Sequence, residues 1–136
     1  MRRALALASL VIAIGTVGGP VASASTSYDP FRGSWTSKDS GDGSDQTLSI
    51  QGSGAAGRHS VFLHDTVATR ACGGGPANVT GSGTVDGATL TWFFTVTCPA
   101  GGRPPIIGRV GPGFFTYNPT SGTLTDDTGT IWYPAG

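Results

Sequence analysis

His59, His64 and Asp65 lie close enough along the chain to suggest acid–base or metal chemistry, because imidazole titrates near neutral pH and ligates metals readily. Their spacing argues against a shared role. In a strand, His64 and Asp65 point to opposite faces and make poor partners for one reaction. Asp39, Asp42 and Asp45 recur at every third residue, and oxygen ligands at short spacing suit calcium. An EF-hand loop needs its ligands at the first, third and fifth positions. The run Lys38 to Asp45 therefore reads as a solvated turn in which Asp and Gly supply the geometry, and Asp126-Asp127 before Gly129 reads the same way. No metal ligand set and no cofactor is expected.

Cys72 and Cys98 are the only cysteines. They lack the Cys-x-x-Cys spacing of a zinc site, and nothing in the sequence brings a histidine to either as a nucleophile's base. A structural disulfide between them is the favoured reading. Gly52-Ser53-Gly54 and Gly81-Ser82-Gly83 are flexible turns or bends rather than a nucleophile elbow. Gly73-Gly74-Gly75 has neither the lysine nor the following helix of a phosphate loop. With no glutamate in the chain, a paired-carboxylate glycosidase would need two aspartates converging from distant loops. Catalysis is thus the less favoured class. Phe93, on an otherwise threonine-rich face, and Tyr117 are the candidates for an outer contact surface.

The elements that must position these residues are strands. The chain of 136 residues holds 23 glycines and 9 prolines but only 12% charged residues, with a single lysine, Lys38. That composition excludes a helical bundle, whose surfaces are rich in Glu and Lys. Ala88 to Cys98 alternates most clearly. Leu90, Trp92, Phe94, Val96 and Cys98 take one face, and Thr89, Thr91, Phe93, Thr95 and Thr97 the other. Phe31 to Ser37 reads as a first strand with Phe31, Gly33 and Trp35 on one side. Gln46 to Gln51 carries Leu48 and Ile50, and His59 to Asp65 carries Val61 and Leu63, with Val67 to Ala71 continuing towards Cys72. Ala77 to Val85 follows, turned by Asp86-Gly87. Ile106 to Val110, Phe114 to Asn118, Thr123 to Thr125 and Thr130 to Tyr133 complete the set.

These are about seven to nine short strands joined by hairpin-length breaks, which predicts an all-β antiparallel up-and-down barrel, with a β-sandwich as the alternative. Closure would set the strand of Trp35 beside that of Trp132. The predicted core is Trp35, Leu48, Ile50, Val61, Leu63, Leu90, Trp92, Phe94, Val96 and Trp132.

Arg2-Arg3, the apolar run Ala4 to Val17, the Gly19-Pro20 break and Ala22-Ser23-Ala24 follow the order of a secretory signal peptide, with cleavage expected after Ala24. Residues 25–136 would form one exported domain. Loss of Arg2 and Arg3 leaves six basic residues against eight aspartates, a formal net charge of −2. That balance lacks the basic footprint of a nucleic-acid or anionic-membrane protein. A monomer is expected, with no membrane association after cleavage.

Gly33-Ser34-Trp35 near the mature start, followed by a meander of hairpins, resembles the opening of lipocalin-like and avidin-like barrels. The resemblance implies a barrel but transfers no ligand residues. The Ala/Gly/Thr-rich style also resembles small exported proteins of high-GC soil bacteria. A binding or structural role follows, for a small molecule, a carbohydrate or an extracellular protein partner. An extracellular enzyme or enzyme inhibitor is the alternative.

Overall fold

The computed structural model describes residues 28–53, 57–99 and 110–136. The expected leader, its cleavage point and the strand piece from Ile106 to Arg109 lie outside these residues.

Eight strands close into one antiparallel barrel in chain order. They are β1 (Gly33–Lys38), β2 (Asp45–Ser53), β3 (Arg58–Asp65), β4 (Ala77–Asp86), β5 (Thr89–Thr97), β6 (Val110–Asn118), β7 (Thr123–Asp126) and β8 (Ile131–Pro134). Every neighbour in the barrel is a neighbour in sequence, except the closing pair. There Trp35 of β1 stands opposite Pro134 of β8, and Thr36 opposite Tyr133. Trp35 and Trp132 thus sit on adjoining strands, both buried. The barrel replaces the sandwich alternative: consecutive strands pair all the way round and β1 closes on β8, so no strand crosses to a second sheet.

Alternation does most of the sorting. Trp35, Leu48, Ile50, Val61, Leu90, Trp92 and Trp132 are buried in one cluster, together with Phe31, Phe115 and Leu124. Leu63 and Phe94 are partly buried against it. The rings of Phe94, Trp92, Phe115 and Trp132 follow one another through the interior, with successive centroids 4.6, 5.6 and 6.1 Å apart. Such spacing is favourable for aromatic pairs. Two glycines make room for Trp92. A Cβ at Gly113 would lie 2.5 Å from its Nε1, and one at Gly83 would lie 2.8 Å from its Cβ.

Four expectations need correction. Phe31 precedes β1 instead of opening it, yet it is fully buried across one end of the barrel. Val67 to Ala71 does not extend β3; residues Thr69–Cys72 form a single helical turn, α1, ended by Gly73 at φ 64°. Val96 leaves the main core because the far end of β5 packs with Ala68, Cys72 and Ala77 under α1. The β4–β5 turn falls one residue later than Asp86-Gly87: Asp86 pairs with Thr89, so Gly87-Ala88 is the loop. Gly87 has φ 58° and, among the described residues, no non-glycine residue has positive φ, which fits glycine at the first position of a type II′ turn.

The expected bridge is present. Cys72 on α1 bonds Cys98, just beyond β5, with the Cα atoms 5.5 Å apart. The barrel ends therefore differ. One carries α1 and the disulfide; the other is closed by residues 28–32.

Candidate functional site

The sequence-predicted polar candidates separate into three places. His64 points outward on β3, where its Nδ1 meets Asn78 Oδ1 at 2.7 Å. Asp65 points inward beside α1, and His59 inward at the opposite end of β3. Nothing brings the three together.

Asp39, Asp42 and Asp65 gather in a depression of about 450 Å³ next to α1. Every carboxylate oxygen there is already used. Asp39 accepts from the Gly41 and Asp42 amides and from Gln46; Asp65 accepts from the Ser44 hydroxyl, the Val67 amide and Gln46. Asp42 accepts the Ser44 amide at 3.0 Å and the Thr69 hydroxyl at 2.5 Å. Asp45 is outside the cluster, paired with Lys38 on the surface. Among the described residues no group of three or more ligating side chains could hold a metal ion. The cluster is loop scaffolding that ties the β1–β2 turn to β3 and α1. Asp126 does the same at the β7–β8 turn, accepting from the Thr128 and Thr130 amides and the Trp132 indole.

One consequence is measurable. The Thr69 hydroxyl, and then the Ser44 contacts, lower the Asp42 carboxyl to about 2. Because the folded value is lowered, this contribution is present above the ordinary value of 3.8 and lost as pH falls towards 2. Thr69→Val is expected to move the Asp42 titration back up towards its ordinary value, read by carboxyl NMR.

Asp29 and His59 form the polar contact that sequence reading missed. Asp29 Oδ2 lies 2.5 Å from His59 Nε2, with the His59 side chain buried and that of Asp29 partly buried. Asp29 stands in a short polar lead with no periodic pattern, so nothing in the sequence singles it out. His59 Nδ1 is buried without a hydrogen-bond partner.

The outer wall is the remaining candidate. Phe93 is 42% exposed on β5, as expected for a contact surface. Tyr117 is not part of that surface. The alternation of β6 turns Phe115 and Tyr117 inward, and Tyr117 packs on Phe31 at 6.3 Å. Phe114 takes the outward place, 40% exposed, and Phe62 of β3 is 44% exposed. Register sets these rings obliquely across the wall. Phe62 opposes Thr80, which opposes Thr95, two residues from Phe93. Strand spacing and rise put Phe62 and Phe93 about 12 Å apart. Phe114 opposes Thr91, two residues to the other side of Phe93. Between the rings the outward side chains are Ser60, Thr80, Ser82, Thr91 and Thr95. Charges occur only at strand ends on this wall, at Asp45, Arg58 and Asp86.

Comparison of the chain with family models, with curated proteins and with solved structures finds no match.

Proposed function

We propose that this protein is an extracellular binding module for a neutral polysaccharide, engaged by the outer wall of β2 to β6. The observation that carries the reading is the wall's composition: hydroxyl and amide side chains around three exposed phenylalanines, without charge except at the rims. Sugar rings present apolar C–H faces that stack on aromatic rings, and hydroxyls that exchange hydrogen bonds with Ser, Thr and Asn. An uncharged wall suits an uncharged ligand, since no buried charge is left without a partner on binding. The oblique spacing of Phe62, Phe93 and Phe114 matches an extended chain better than a single small molecule.

Two further observations support this choice. The aromatic rings of the core fill the interior where a lumen ligand would sit. The Cys72–Cys98 bridge favours an oxidising compartment. An enzyme reading gains no comparable support, because no hydroxyl or thiol is bonded to the Asp29–His59 pair.

Sedimentation with insoluble cellulose and chitin, and gel retardation in soluble β-glucan, test the proposal. Retention on at least one of them is expected, and added salt should leave it unchanged. The triple variant Phe62→Ser, Phe93→Ser, Phe114→Ser is expected to lose about tenfold or more in affinity while keeping its melting temperature. No retention on any of the three, or full retention by the triple variant, overturns the assignment. A wild-type dimer that the triple variant dissolves would instead make this wall an interface between copies of the chain.

A further inference from the structure

The barrel end closed by residues 28–32 has an unusual construction. Phe31 fills it, fully buried, yet belongs to no strand. Its own amide bonds back to Asp29 Oδ1 at 3.1 Å, and its carbonyl accepts the Trp35 indole N–H at 3.1 Å. Both contacts stay within the first strand and its lead. Asp29 to His59 on β3, and Tyr28 to Tyr117 on β6, are the polar ties that cross to other strands. The Tyr28 contact is made by a residue 82% exposed. The segment is thus an apolar plug: Phe31 packs into the core cluster, and its main polar tie to another strand is one side-chain pair.

Beneath it lies the unpartnered nitrogen. With Nε2–H donated to the Asp29 carboxylate, His59 Nδ1 is left as a bare acceptor in an apolar setting, a costly state for a buried group. Phe31 and His59 meet edge to face with centroids 6.5 Å apart. That is an ordinary edge-to-face contact, and phenylalanine carries no hydroxyl to offer the nitrogen.

We propose that Phe31 is a displaceable stand-in, and that the space it fills is a site for a small, uncharged aromatic compound bearing one hydroxyl. The ring would lie among Trp35, Tyr117 and His59, and the hydroxyl would donate to His59 Nδ1. Binding then requires the 28–31 segment to leave, so the apparent affinity of the intact protein is reduced by the fraction of molecules with the plug open. This site is independent of the outer wall.

Phenol and toluene are the probes, titrated by calorimetry and by thermal shift into the full chain and its variants. Phe31→Ala opens a ring-sized apolar space of the kind that accepts benzene-like ligands. It is expected to bind phenol at least about tenfold more tightly than the wild type, and toluene about tenfold more weakly than phenol. In the wild type, phenol should shift the His59 imidazole resonances and speed hydrogen exchange at the Phe31 amide. Equal binding of phenol and toluene removes Nδ1 from the recognition. Equal phenol binding by wild type and Phe31→Ala, or none by either, overturns the site. Should Phe31→Ala fail to fold, Asp29→Asn carries the test. It keeps a hydrogen-bonding side chain while weakening the tie to β3, and must raise phenol affinity several-fold; no gain overturns the displaceable plug.

Discussion

Trp92→Ala is expected to lower the unfolding free energy by about 3–5 kcal/mol in a urea titration, a large share of the roughly 5–15 kcal/mol that holds a typical domain. Trp92 is 5% exposed and stacks against both Phe94 and Phe115. Removing it takes away apolar burial and two ring contacts at once. The cavity term should be near the upper end of its range for a specific reason. The strand positions opposite Trp92 are Gly83 and Gly113, which have no side chains to lean into the space. Relaxation would need backbone movement in a closed barrel, where each strand is held on both edges. Thr91→Ala, on the outward face of the same strand, is expected to stay within about 0.5 kcal/mol. Comparable losses for the two variants would mean that the Thr face is covered as well, contrary to the exposed wall that the proposed polysaccharide binding requires.

Trp92 also shows which parts of the fold could be read from sequence. Its strand alternates over nine residues with Phe93 the one exception, and a period of two leaves only one register that turns Leu90, Trp92 and Phe94 inward together. Closure was legible for a similar reason: most of the breaks are hairpin-length and allow few topologies besides a meander. Features that depend on a single distant contact were not legible. Phe31 looks like the first apolar residue of a strand, because nothing local says that it folds across the barrel end. α1 spans four residues, too few to impress a helical period on the sequence, and tertiary contacts create it. The Asp29–His59 pair joins residues 30 apart with no motif linking them. On the wall, alternation placed Phe93 correctly. Tyr117 was misplaced because the glycines and proline of Val110–Asn118 hide the phase of β6. That phase decides whether Phe114 or Tyr117 meets solvent.

The bridge carries the second large effect. Replacing both cysteines, Cys72→Ser with Cys98→Ser, is expected to cost roughly 2–5 kcal/mol, and the chain-entropy model puts a loop of this length near 3.5 kcal/mol. The two residues are 26 apart and enclose all of β4 and all of β5, with Cys72 the last residue of α1. The β4–β5 hairpin would persist without the bond, since its nine paired positions are held by the ladder itself. α1 has no such support. One turn of helix is unstable alone, and its apolar support is the small cluster of Ala68, Cys72 and Ala77 with Val96 and Cys98 behind it. Hydrogen exchange in the double variant should therefore quicken first at residues 68–77, while the amides of Leu90 and Trp92 lose protection only in step with global stability. The same pattern should follow reduction of the wild type with dithiothreitol. Uniform loss of protection across the barrel would assign the bond's effect to the unfolded chain alone. Loss concentrated at α1 shows that it also holds this turn in place, and with it the Thr69 hydroxyl that lowers the Asp42 carboxyl. The Asp42 titration in the double variant should then rise as it does in Thr69→Val, linking the bridge to a carboxylate on the far side of α1 through one hydrogen bond.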